Sequence, residues 1–412
     1  MTSSSSSGGG PAGSALARCV GCTAAEFARQ HWGRAPRLSR AAELAGGFTD
    51  LFDAAAVDEL ASSRGLRTPF LRMAKDGTVL PAARFTRGGG AGASVADQAA
   101  DDRILAAMAD GATLVLQALH RTWPPLVEFG SALAGELGHP VQINAYITPP
   151  QNQGFAPHYD VHDVFVLQVS GRKRWTIHAP AVPDPLDNQP WEQHREAVAT
   201  RAAEAPLLEA VLGPGDALYL PRGTIHAAQT QGETSVHLTV GVHPITRYQL
   251  VRHLLEAAQD DAELRASLPV GVDLADPEVL APHLAETVAR LQQRLGEIGA
   301  GRIADAVAQN LMQRTRPEPI GPLAQLAAAD TLAADTPVRT RAGLRIRVEE
   351  GVEQLALVLL DRRVTLPAVD AEAVKVLLSG VVVTPGELPG LAADEQLVLA
   401  RRLLREGLIV PA

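Results

Sequence analysis

The sequence predicts an α+β chain built around an antiparallel jelly roll or barrel, with helices before it and a helical stretch and a small mixed domain after it. Three observations predict this. Hydrophobic spacing changes from helical to period two at Val141. Short apolar runs punctuated by Gly and Pro then continue as far as His243, and beyond Arg247 the strands stop.

Met1 to Gly10 is a Ser/Gly tract without the basic and apolar regions of a secretory signal, so residues 1–12 are expected to be a flexible tail. From Thr23 to about Gly138 the pattern is mostly helical with loops, interrupted at Gly88 to Gly92, with one helix expected near Leu126 to Leu137. In the next segment Gln142, Asn144, Tyr146 and Thr148 alternate with Val141, Ile143, Ala145 and Ile147, the pattern of a half-buried strand. Further strands are expected at His158 to His162, Val164 to Val169, Arg174 to Ile177, Ala217 to Leu220 and Thr234 to His243. The turns Ser170-Gly171, Gly213-Pro214-Gly215 and Pro221-Arg222-Gly223 separate them.

Tyr248 to Gln313 has the apolar stripe of two or three amphipathic helices, which can pack on the chain's own barrel or pair with a second subunit. From Pro337 onward strands near Leu344 to Val348 and Leu355 to Leu360 mix with helices near Ala371 to Leu378 and Asp394 to Arg405, followed by a strand at Leu408 to Val410. This mixture suggests a winged-helix-like domain. The expected organisation is therefore a tail (1–12), a catalytic-sized domain (13–247), a helical dimerisation region (248–335) and the small domain (336–412).

Bulk properties exclude several classes. The chain has 412 residues, 46% of them hydrophobic, enough to bury more than one core. The net charge of -9 argues against a large phosphate-binding term, and residues 337–412 carry ten basic and ten acidic side chains, so no DNA reading is expected there. No run approaches the roughly 18 apolar residues of a membrane span, and a cytoplasmic protein is expected. The only cysteines, Cys19 and Cys22, form one C-x-x-C without the second pair that a tetrahedral zinc site needs.

Seven of the twelve histidines lie between His158 and His243, which makes the barrel the place to search for chemistry. In a strand, residues i and i+2 share a face, so His158 and Asp160 can converge on one ion. His226, after the turn at Pro221, is the best third ligand, because folding a barrel brings distant strands together. Two histidines and one carboxylate leave coordination positions open for a bidentate cosubstrate and O2, the arrangement of non-haem iron(II) oxygenases. At this level His162 and Asp163 compete as partners, and His178, His237 and His243 can equally be core histidines.

The segment from Asn144 through His158-Tyr159-Asp160, then Val164-Phe-Val-Leu-Gln-Val-Ser-Gly-Arg-Lys-Arg-Trp175 and Gly215-Asp-Ala-Leu-Tyr-Leu-Pro-Arg-Gly-Thr-Ile-His226, resembles the ribosomal oxygenases of the JmjC/cupin superfamily. Phe27-Ala-Arg-Gln-His31-Trp32-Gly-Arg34-Ala-Pro36 is similar to that family's N-terminal signature, and the resemblance extends over nearly all of the chain after the tail. It implies a double-stranded β-helix (jelly roll) and a homodimer. It also implies iron(II) on His158, Asp160 and His226, with Lys173 on the distal carboxylate of 2-oxoglutarate. By position alone Lys173 is one cation beside Arg172 and Arg174. The resemblance places Asn144 and Tyr146 in the pocket wall, and Thr239 can add a hydroxyl to the cosubstrate. Gly241 stands where some relatives have a hydroxyl side chain. The implied reaction uses O2 to convert 2-oxoglutarate to succinate and CO2 while hydroxylating a side chain of a ribosomal protein, at Arg or His. The competing readings are a demethylase-type JmjC enzyme, a non-catalytic cupin-like metal-binding regulator, and a zinc- or manganese-dependent isomerase.

Overall fold

Two sheets position everything that follows. In the computed structural model, which describes residues 14–75, 77–150 and 156–412, the chain divides into one unit ending at Pro244 and another beginning at Ile245. The tail and the stretch Gln151 to Phe155 before His158 lie outside the described residues.

The larger sheet of the first unit runs Arg37–Ser39, Ala217–Leu220, Asp163–Ser170, Ser235–Val242, Val141–Thr148, Thr113–Leu116, Leu71–Lys75 and Thr78–Val79. The smaller sheet runs Leu208–Leu212, Lys173–His178 and Ile225–Thr230. Every ladder in both sheets is antiparallel. Neighbours are often far apart in sequence, such as Arg37 opposite Tyr219, which is the connectivity of a jelly roll rather than of a simple meander.

Period two explains why the Asp163–Ser170 strand sits centrally. Phe165, Leu167 and Val169 turn to one face, where they join a core with Phe27, Phe48, Leu126 and Leu133 from the N-terminal region. Val164 and Val166 turn to the other, packing with Trp175, Ile177, Leu218 and Leu220 between the sheets. A strand buried on both sides is apolar almost throughout, and each such side chain contributes about 1.5–3 kcal/mol on burial. The N-terminal signature is part of the outer clamp. Thr23 caps the helix Ala24–Gln30 by accepting from the Glu26 N–H, Phe27 meets the Tyr219 ring edge-on at 4.8 Å, and the Gly33 N–H donates to the Tyr219 hydroxyl. Cys19 is buried in this layer with its thiol donating to the Ala15 carbonyl. Cys22 is half-buried, and both are free thiols.

Several expectations need correction. The N-terminal region is not simply helical, because it supplies Arg37–Ser39, Leu71–Lys75, Thr78–Val79 and Thr113–Leu116 to the larger sheet. These strands have two to five residues, too short to show a period, and most pair with distant segments. His158 to His162 is not a strand. It makes a single antiparallel bridge, His158 to His226. Leu208–Leu212 and Ile225–Thr230 were not anticipated.

In the second unit, helices Arg247–Ala258, Pro277–Glu297, Ala300–Arg314 and Pro322–Asp330 precede a three-stranded meander, Arg347–Glu350, Gln354–Val358 and Arg363–Pro367. Helices Ala371–Leu377 and Ala393–Arg405 follow, and Ile409–Pro411 pairs back with Val338–Thr340. The helix expected near Leu126 to Leu137 is present as Pro124–Leu137, closed by Gly138 in the left-handed region.

Candidate metal and anion site

The site is assembled by backbone hydrogen bonds before any side chain takes part. The His158 N–H donates to the His226 carbonyl (3.2 Å) and the His226 N–H returns to the His158 carbonyl (2.8 Å), which sets the two histidines directly opposite each other. The turn that leads to His226 is tied down twice more. The Gly223 N–H donates to the Asp160 carbonyl at 2.9 Å, and the Arg222 N–H donates to the buried Asp163 carboxylate at 2.7 Å. Gly223 has φ +81°, and a Cβ there would stand 2.6 Å from the Val182 carbonyl oxygen, so this position admits only glycine. Gly223→Ala is expected to cost about 2 kcal/mol or more in stability and to weaken metal binding, which thermal melting and metal titration of the variant can check.

His158, Asp160 and His226 each bring one ligand atom to within 4.8 Å of the others, the only such group among the described residues. Asp160 Oδ2 lies 3.6 Å from His226 Nε2, and the two imidazole centroids are 4.5 Å apart. A carbonyl can only accept. The contacts of His158 Nδ1 with the Ala156 carbonyl (2.7 Å) and of His226 Nδ1 with the Thr224 carbonyl (3.0 Å) therefore put a proton on each Nδ1, which makes Nε2 the ligand atom of each ring. Burial pushes the His226 imidazole down to about 4, with His158 adding to the effect, so it stays neutral as a metal ligand must. Burial alone would raise the Asp160 carboxyl, but the positive potential around it, to which the Arg72 guanidinium contributes, outweighs burial and holds the group below its ordinary value. Two imidazole nitrogens and one carboxylate fit a divalent first-row ion.

These three residues open on a cavity of about 500 Å³ whose other wall holds a cation. Lys173 is 3% exposed, and its ammonium donates to the Thr148 hydroxyl at 3.2 Å, which in turn accepts from the Thr113 hydroxyl. None of the ion pairs among the described residues includes Lys173, and burial alone brings its ammonium down to about 7. An unpaired buried ammonium is costly unless an anion joins it.

The other expected site residues divide. Tyr146, Thr239 and Lys173 line the cavity. Asn144 is not among the lining residues, because its amide oxygen accepts from the Ala118 N–H, a residue held at φ 56°. Gly241 lies beneath Gln142 and His162, 3.1 Å from each measured from an added Cβ, and does not line the cavity. His162 contacts Gln142 and the His243 ring, Asp163 holds the Arg222 turn, and His178 is buried apart from the triad. Sequence reasoning missed Thr148, although it shares the period-two polar face with Tyr146. It also missed Thr113, Arg72 and Trp191, which line the cavity from distant segments and carry no local signal.

Residues 131–250 match the family described as JmjC domain. The chain is 34% identical over 217 residues to Ribosomal oxygenase 1 of Gallus gallus, covering 52% of this chain and 34% of that protein. Over 103 residues it is 47% identical to the bifunctional lysine-specific demethylase and histidyl-hydroxylase NO66 of Aedes aegypti, covering 24% of this chain and 15% of the relative. The chain thus spans about a third or less of the length of these curated relatives. Among solved structures, YcfD, a ribosomal oxygenase from Escherichia coli in complex with cobalt and 2-oxoglutarate, superposes with TM-score 0.53 at 15% identity, over 95% of this chain and 99% of that one. That likeness shows a shared fold.

Proposed function

We propose that the chain, whose residues 131–250 match the JmjC domain family, is an iron(II)- and 2-oxoglutarate-dependent oxygenase that hydroxylates a protein side chain, an Arg or His of a ribosomal protein. One observation carries this reading: a buried ammonium without a counter-charge among the described residues, Lys173, faces the same cavity as the His158, Asp160 and His226 triad. A metal with open positions at one end and an unpaired cation at the other suit a ligand that chelates through a 2-oxo acid and ends in a second carboxylate.

His158, Asp160 and His226 would hold iron(II). The bound metal supplies the chemistry that couples 2-oxoglutarate and O2 to succinate, CO2 and a hydroxylated C–H bond. The chain's own groups do the rest. Lys173 and the Thr148 hydroxyl bind the distal carboxylate, and the Tyr146 and Thr239 hydroxyls border the same space. Trp191, with the Arg195 guanidinium 4.9 Å over its ring, walls the cavity beside His158, whose ring lies 6.1 Å away, and there it can exclude water from the reacting end. The demethylase activity in the name of the NO66 relative is the second reading. The test is anaerobic purification with iron(II), followed by succinate formation from 2-oxoglutarate with and without ribosomal proteins. Formation of succinate coupled to one added oxygen atom on a ribosomal protein is expected, whereas loss of a methyl group from a lysine instead favours the second reading.

Residues 248–335 act in this proposal as a dimerisation region, 336–412 as a winged-helix-like packing domain without a DNA role, and the protein works in the cytoplasm. No helix of the described residues is long and apolar enough to cross a membrane. Support for dimerisation comes from the helix Pro277–Glu297, which buries none of its residues and leaves Leu284 and Val288 exposed one turn apart. Light scattering of the full chain at micromolar concentration is expected to give the mass of a homodimer, and a monomer there overturns it.

A further inference from the structure

His237 is a buried histidine, 3% exposed, that the triad and Lys173 leave without a task. Its ring lies flat on Tyr146, with centroids 5.1 Å apart and planes 10° apart, and meets Trp175 edge-on at 5.5 Å and 89°. Aromatic contacts on two sides fix the orientation of the ring while it lines the cavity. A core histidine ordinarily satisfies both nitrogens. Here Nδ1 is buried without a hydrogen-bond partner among the described residues. A neutral imidazole carries one N–H, and with no acceptor beside Nδ1 the proton belongs on Nε2. Burial, reinforced by the nearby Lys173 charge, keeps the ring neutral, so it can donate without adding a second cation to the pocket.

The backbone at this position is also unusual. Against Val141–Thr148 the register is unbroken, with His237 opposite Tyr146. Against Asp163–Ser170 it slips: Val236 pairs with Ser170 and His237 with Gln168, which leaves Val169 as an extra residue. Bulges of this kind re-aim side chains beside functional sites. This one is clasped by the buried Gln168 amide, whose Nε2 has the Ser170 carbonyl at 2.9 Å, the Gly171 carbonyl at 3.1 Å, the Ser235 hydroxyl at 2.9 Å and the Val236 carbonyl at 3.4 Å.

We propose that His237 is a second ligand for the distal carboxylate of the cosubstrate, donating a ring N–H beside the Lys173 ammonium, and that the bulge clasped by Gln168 aims it there. This rests on the reading of the cavity as a 2-oxoglutarate site. Lys173 supplies charge and His237 supplies direction, which a rotatable ammonium cannot do alone.

The test is calorimetric titration of the full chain loaded with manganese(II) under anaerobic conditions, using 2-oxoglutarate and 2-oxobutyrate. The second ligand keeps the 2-oxo acid head and lacks the distal carboxylate. His237→Phe is expected to lose about tenfold in affinity for 2-oxoglutarate, the worth of one hydrogen bond to a charged group, and none for 2-oxobutyrate. His237→Gln, which keeps an N–H donor, is expected to recover most of the loss, with melting curves confirming that both variants fold. Unchanged 2-oxoglutarate affinity in His237→Phe overturns the proposal. So does an equal loss for both ligands, which marks a structural role, or a Gln variant no better than Phe. If the unmutated chain fails to bind 2-oxoglutarate, the cosubstrate reading itself has failed, and this inference falls with it.

Discussion

Replacing His158, Asp160 or His226 by alanine is expected to lower bound iron(II) to background and abolish 2-oxoglutarate turnover, while His162→Ala retains both. Three protein donors are the fewest that hold the ion and still leave positions open, so the loss of any one is close to complete rather than graded. The fold should survive each change. The bridge between His158 and His226 is made by backbone N–H and carbonyl groups, which alanine keeps. His162 is the stringent control, because it is two residues from Asp160 but turns toward Gln142 and His243. Metal content after gel filtration and melting curves without metal separate the two effects. If His162→Ala strips the metal while His158→Ala keeps it, the ligand assignment is wrong.

Lys173→Met is expected to stabilise the metal-free protein and cripple cosubstrate binding. Burial lowers the folded-state ammonium from 10.5 to about 7, so the unfolded chain binds the proton more tightly. The sign follows directly: between about pH 7 and 10.5 the unfolded state carries more protons, so this group makes stability rise with pH across that window, by up to about 1.4 kcal/mol per unit. Below pH 7 the penalty is fully present, on the order of 5 kcal/mol. Methionine removes the charge, keeps much of the volume and should erase that slope. Thermal melts at pH 7 and pH 9 on both proteins check it. A variant less stable than its parent at pH 7 would mean that Lys173 already has a counter-charge in solution. In the parent protein, 2-oxoglutarate should bind with proton uptake above about pH 7, its affinity falling as pH rises, because the dicarboxylate needs the charged lysine. Titrations in buffers of different ionisation enthalpy count that proton. In Lys173→Met the pH dependence should vanish together with most of the affinity, with metal binding intact.

Local order alone determined a good deal. The period-two run at Val141, the apolar strand at Val164 and the turn residues around Gly171 and Gly223 are consequences of side-chain alternation and backbone freedom within a few residues, and the structure has strands or turns at each. The types and spacing of His158, Asp160 and His226 suggested a metal triad with His162 and Asp163 still competing, and the family resemblance chose among them. The reason first given for the pairing of His158 with Asp160 does not hold, since that segment is no strand. Its geometry comes from two hydrogen bonds to His226, some seventy residues away in sequence. Tertiary structure alone decided which nearby histidines stay out, that Asn144 serves the Ala118 backbone, and that Lys173 rather than Arg172 or Arg174 is buried. It also placed Thr113, Thr148 and His237 around the same space. The physical reason is common to all of these. Burial and the partner of a polar group depend on which distant strands close over it, and a jelly roll pairs segments whose separation in sequence leaves no local trace.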